Sequence, residues 1–122
     1  MTATILVADD EADIRNIVRL ALEAKGFDVQ TARSGREALD CIDRIATNAV
    51  ILDVNMPEVD GFTVLQRLKQ QAHTQHIPVI MLTANDAVEQ IARGWRLGAD
   101  FYWTKPFKAD QLAELIQHIL EG

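Results

Sequence analysis

Three short runs, TILVA (4–8), AVILD (49–53) and PVIML (78–82), are apolar almost throughout, and longer segments with a helical rhythm separate them. A strand that is apolar on both faces must be covered on both. That is the situation of a parallel sheet, whose crossover helices lie over its faces. DVQTA (28–32) and FYW (101–103) complete a set of five strand-like runs. The intervening stripes are Ile14, Ile17, Val18 and Ala21; then Ala38, Leu39 and Ile42; Phe62, Leu65 and Leu68; Val88, Ile91, Ala92 and Trp95; and Leu112, Leu115, Ile116 and Ile119. Each fits one face of a helix, which assigns Trp95 to the core. SGRE (34–37) has the form of a capping box, and Gly26 and Gly98 stand where helices end. Five strand–helix pairs joined by short loops predict an α/β fold, a doubly wound five-stranded parallel sheet with five helices on both faces. One domain over residues 1–122 is expected.

Composition narrows the class. The 122 residues carry 18 Asp and Glu against 12 Lys and Arg, a net charge of −6, and the basic residues form no cluster. A nucleic-acid surface needs clustered positive charge, so direct nucleic-acid binding is not expected of this chain. Cys41 is the single cysteine, which excludes an internal disulfide and fits a reducing compartment. No apolar run approaches the roughly 20 residues of a membrane span and no secretory leader opens the chain, so the expectation is a cytoplasmic protein without membrane contact. The chain stops at ILEG, just after the last helical stripe. That leaves open whether it stands alone or is cut from a longer protein.

In an open parallel sheet the ligand site lies beyond the carboxyl ends of the strands, near the point where strand order reverses. Asp9 and Asp10 follow the first strand, Asp53 ends the third, Thr83 follows the fourth and Lys105 the fifth. Asp9, Asp10 and Asp53 together would repel strongly, about 4 kcal/mol per pair at ~4 Å and an effective dielectric near 20. Mg²⁺ relieves such a set, since it takes oxygen ligands, is held by one or two carboxylates and keeps positions open for a phosphoryl oxygen. Lys105 and Thr83 could hold two more oxygens of that group. Asp53 is the candidate nucleophile, because a carboxylate can carry an acyl phosphate. Glu11 and Asp13 are read as acids complementing the dipole of the first helix, beyond the metal. His73, His76 and His118 lie in polar or terminal settings and are given no ligand role.

ADDE (8–11), LDVNMPEVDG (52–61), MLTA (81–84) and TKPF (104–107) occur in order at four strand ends. In this the chain resembles the receiver domains of bacterial two-component response regulators over nearly its full length. The resemblance implies a flavodoxin-like sheet of order 2-1-3-4-5. It implies that Asp53 takes a phosphoryl group from a phosphohistidine on a sensor histidine kinase or phosphotransfer protein. Asp10 would bind Mg²⁺ directly, Asp9 partly through water, Asn55 through its backbone carbonyl, and Asp53 would complete the set. Thr83 and Lys105 would complete the reaction centre, with Thr83 and Tyr102 as the switch pair. The Lys105–Pro106 peptide would be cis, Ala84 would leave room for the phosphoryl group, and Asn55 and Asn85 would tune its loss. Phosphorylation would reshape the surface of helix 4, strand 5 and helix 5 for an effector protein or an appended output domain, in a monomer or a phosphorylation-dependent dimer. Such a protein is no enzyme beyond its own phosphorylation and dephosphorylation. Phe101 and Trp103 depart from the family's usual residues, and alternation puts them together on the face opposite Tyr102.

Other classes fit less well. A haloacid-dehalogenase-like phosphohydrolase needs a second acid where Asn55 stands, and an amide cannot shuttle a proton. A flavodoxin-type flavin module needs a phosphate-cradling loop after the first strand, and DDEAD (9–13) would repel phosphate. A receiver-like interaction module without phosphotransfer would lack a site residue, and none is missing. A receiver excised from a larger response regulator or hybrid kinase remains compatible with the sequence.

Overall fold

The computed structural model describes residues 2–84 and 88–121. Strands and helices alternate: β1 (Thr4–Ala8), α1 (Ala12–Ala24), β2 (Asp28–Ala32), α2 (Gly35–Arg44), β3 (Ala49–Asp53), α3 (Gly61–Gln70), β4 (Val79–Thr83), α4 (Val88–Leu97), β5 (Phe101–Thr104) and α5 (Ala109–Glu121). All four ladders are parallel, and the strands lie in the order β2-β1-β3-β4-β5. The chain steps outward from β1 to β2 and then returns past β1 to β3, so the order reverses between β1 and β3.

Position in the sheet explains the strand sequences. Interior β3 and β4 are buried at every residue, whereas edge strand β2 buries only Ala32. Alternate residues then feed two core layers. Leu6, Ala8, Val50, Leu52, Val79 and Met81 pack with α2 and α3 residues such as Ala38, Phe62 and Leu65. Ile5, Val7, Ile51, Ile80 and Leu82 pack with Val18 and Leu22 of α1 and with Leu112 and Ile116 of α5. Among the described residues no helix is long and apolar enough to cross a membrane.

Several details differ from the sequence expectation. β4 is Val79–Thr83, one residue later than the apolar run, because Pro78 has no N–H for the ladder; its carbonyl instead accepts from Val50 N at 3.0 Å. Ser34 caps α2 by accepting from Glu37 N at 3.2 Å. The return half of the box goes elsewhere, since the Glu37 carboxylate accepts from Arg33 N and Nε at 3.0 and 2.9 Å. Gly26 and Gly98 end α1 and α4 at φ of +92° and +103°. Trp95, assigned to the core by its stripe, is 49% exposed; Val88 and Ile17 are 80% and 54% exposed. Of α4 only Gly94 is buried. Trp95 leans on the Tyr102 ring and leaves about half of its surface to solvent.

Candidate functional site

Parallel pairing brings the strand ends to one rim. Ala8 is paired with Leu52, so Asp9 and Asp53 emerge side by side at the reversal point between β1 and β3. Backbone hydrogen bonds continue past the strands and fix the first residues of the loops: Asp9 N donates to Ala32 O at 3.0 Å, Val54 N to Leu82 O at 2.8 Å and Lys105 N to Thr83 O at 2.7 Å. The loop after β3 turns back so that Gly61 N donates to Val54 O at 3.0 Å. A Cβ on Gly61 would overlap the Asp53 carbonyl oxygen, and this close approach explains the glycine at the start of α3. Asp60 then caps α3, accepting from Thr63 N at 2.9 Å.

One oxygen from each of Asp9, Asp10 and Asp53 lies within 4.8 Å of the other two. Asp9 and Asp53 are buried and Asp10 is exposed, so the three form a cup open on one side. Asp9 Oδ1 accepts from Glu11 N at 2.9 Å and Asp53 Oδ1 from Asn55 N at 3.2 Å. Lys105 Nζ stands 3.0 Å from Asp9 Oδ2, 3.2 Å from Glu11 Oε1 and 3.5 Å from Asp53 Oδ1. Asp9 Oδ2, although buried and close to that ammonium, accepts no hydrogen bond. Its contact with Lys105 is an ion pair without hydrogen-bond geometry.

Charge in the cup is uncompensated, and the protonation equilibria register it. Burial raises the Asp53 carboxyl to about 7, with the Asp9 charge adding to the rise and Lys105 and the Asn55 amide opposing it. Burial likewise raises Asp9 against the pull of the Glu11 amide and Lys105. Burial acts to lower Lys105, but the surrounding Asp9, Asp53 and Glu11 outweigh it and hold the ammonium above its usual range. One ammonium does not neutralise three acids in a partly dry site, which is the condition a divalent cation satisfies. Clefts of about 260, 280 and 360 Å³ lie elsewhere, around α2, α3 and the loops preceding β3 and β4. Among the described residues, the cup is the acidic cluster with metal-ligand spacing.

Most of the residues singled out from sequence meet here. Asp9, Asp10, Asp53, Asn55 and Lys105 converge, and Thr83 ends β4 beside β3, buried. The Lys105–Pro106 peptide is cis. Tyr102 lies away from the cup: its hydroxyl donates to the Gln90 carbonyl at 3.1 Å and its ring tilts 59° against Trp95 at 5.6 Å. Phe101 and Trp103 belong to the opposite core layer, with Trp103 edge-on to Phe107 at 6.3 Å. Asn85 lies outside the described residues. Glu11 stands at the N-cap of α1 and outside the acidic triplet, as expected, and its carboxylate also accepts a hydrogen bond from Lys105. Sequence reasoning misses Arg15, whose guanidinium donates to the Asp9 carbonyl at 2.7 Å. The one signal available for it is its place one helical turn after Glu11.

The family model described as response regulator receiver domain matches residues 5–117. The DNA-binding dual master transcriptional regulator RpaA of Synechocystis is 38% identical over 116 residues, which are 95% of this chain and 48% of that protein. The chain spans about half the length of the curated relatives it matches. Among solved structures, the chemotaxis protein CheY4 of Vibrio cholerae superposes with a TM-score of 0.91 at 33% identity, covering 98% of this chain and 99% of that one. The receiver domain of a signal transduction histidine kinase from Syntrophus aciditrophicus gives a TM-score of 0.91 at 33% identity, covering 99% and 92%.

Proposed function

The chain belongs to the response regulator receiver domain family, and from that membership we propose that Asp53 is its phosphoryl acceptor, charged from a phosphohistidine on a sensor kinase or phosphotransfer protein. The observation that carries this reading is the placement of one buried carboxylate, Asp53, within 4.8 Å of oxygens of Asp9 and Asp10 and 3.5 Å from Lys105. In the transfer, an Asp53 carboxylate oxygen bonds to phosphorus while the P–N bond to the donor imidazole breaks. The imidazole nitrogen leaves with the electron pair and takes a proton from water, and Asp53 becomes a mixed carboxyl–phosphoryl anhydride. The protein catalyses its own phosphorylation and dephosphorylation and acts on no other substrate.

Asp9, Asp10 and Asp53, with the Asn55 carbonyl, are the residues that would hold Mg²⁺, and the buried Asp9 Oδ2 without a hydrogen bond fits that use. When bound, the ion supplies positive charge against the phosphoryl oxygens. Lys105 supplies a second positive charge and Thr83 a hydroxyl at the end of β4. The modification adds about −1.5 to −2 charge. Thr83 senses that charge, and Tyr102 couples it to α4. The readout is then a partner protein or an output region attached to this chain in the manner of its longer relatives.

Incubation with acetyl phosphate and Mg²⁺ is expected to raise the intact mass by one phosphoryl group, and Asp53→Ala is expected to abolish the gain. A gain retained in Asp53→Ala would falsify the assignment of the acceptor.

A further inference from the structure

Lys105 faces three carboxylates that do not hold it in the same way. Of the contacts to Asp9, Glu11 and Asp53, at 3.0, 3.2 and 3.5 Å, the one with hydrogen-bond geometry is that to Glu11. Glu11 also differs in setting. Its side chain is 61% exposed, against 0% and 3% for Asp9 and Asp53. It lies outside the acidic triplet but is tied to it, because its amide donates to Asp9 Oδ1 at 2.9 Å. The residue before α1 therefore grips the cup with its backbone and the ammonium with its side chain.

We propose that Glu11 is a positioning residue that holds the Lys105 ammonium at the mouth of the cup and competes for it with the arriving phosphoryl group. The proposal rests on Asp53 being the acceptor. An incoming phosphoryl group carries more negative charge than a solvated carboxylate and offers several oxygens, so it wins the ammonium once seated. The Glu11 contact must loosen for that to happen. An interaction present in the resting state and lost in the transition state slows the step. Replacing the Glu11 carboxylate by an amide of the same shape removes the competitor while leaving the backbone tie to Asp9. Because the Glu11–Lys105 pair is half in water, the acceleration is modest, about two- to five-fold.

Charge repulsion between Glu11 and an anionic donor would act in the same direction, so the test must separate the two. Phosphorylation by acetyl phosphate at saturating Mg²⁺ is followed by intact mass in the wild type, Glu11→Gln, Lys105→Met and the double variant, with Mg²⁺ affinity measured for each by calorimetry. Glu11→Gln is expected to speed modification about two- to five-fold when Lys105 is present and to change it by less than about 1.5-fold in Lys105→Met. Equal acceleration in both backgrounds would show that Glu11 acts through its charge alone, and no acceleration with Lys105 present would show that it does not restrain the ammonium. Either result overturns the proposal. Modification of Asp53→Ala is read separately, so failure of the acceptor assignment and failure of the Glu11 role are told apart.

Discussion

A carboxyl group set under a sheet rim beside a second carboxyl has two ways to lower its free energy: it can keep its proton, or it can share a cation. Asp53 shows the first tendency, its carboxyl raised to about 7 by burial and by the Asp9 charge. Its folded form thus holds the proton more tightly than the unfolded chain, where an aspartate releases it near 4. The contribution of this group to stability is therefore largest below the unfolded value and is lost as pH rises through about 7. Without divalent ions, the Asp53 share of that loss between pH 5.5 and 8 is at most about 2 kcal/mol. Asp9 is raised in the same direction, also chiefly by burial. Thermal melts in EDTA are expected to show a midpoint several degrees lower at pH 8 than at pH 5.5. Asp53→Asn should melt higher than the wild type at pH 8 and have a flatter pH profile. A wild-type midpoint that rises with pH over this range would mean that Lys105 fully compensates the cup.

Among the elements, α4 is where sequence pattern and structure part most clearly. The uniform apolar runs of β1, β3 and β4 revealed interior strands because both of their faces are covered. Periodicity in α4 said only that one face is apolar, not how much sheet lies beneath it, and Trp95 and Val88 proved exposed. What the pattern hid was Gly94. A glycine inside a helix costs about 0.5–1 kcal/mol relative to alanine, yet a Cβ here would overlap the Tyr102 hydroxyl and ring. Gly94 thus makes the room in which Tyr102 reaches the Gln90 carbonyl. Gly94→Ala is expected to destabilise the fold by about 1–3 kcal/mol, the range for overpacking. In a Tyr102→Ala background the same change should reverse sign and stabilise by about 0.5–1 kcal/mol, because only helix propensity remains. Urea unfolding of the four proteins measures both values. The same sign in both backgrounds would mean that Gly94 answers to something other than Tyr102.

For the whole molecule, the decisive fact is that a 2-1-3-4-5 sheet gathers residues separated by more than ninety positions onto one rim. The acids, the threonine and the lysine were legible because each stands at the end of an apolar run. The orientation of Lys105 toward Glu11 was not, since it depends on how the chain leaves β5 rather than on spacing. The acidic balance that argued against nucleic-acid contact describes only this chain, about half the length of relatives that include a DNA-binding regulator. It therefore sets no limit on what a longer protein containing it does. Mg²⁺ held by Asp9 and Asp10 after β1 and Asp53 at the end of β3 would be a ligand of the folded state and would stabilise the molecule as a whole. At ten times its dissociation constant at pH 8 it should contribute about 1.4 kcal/mol, raising the melting midpoint by roughly 4–7 °C for a domain of this size. At pH 5.5 the same concentration must displace the Asp53 proton, which weakens the apparent affinity up to about thirty-fold and leaves a shift below roughly 1 °C. Asp10→Ala is expected to lose most of the pH 8 shift while keeping the fold, since that side chain is exposed. A shift equal at both pH values, or unchanged in Asp10→Ala, would place the ion somewhere other than the cup of Asp9, Asp10 and Asp53.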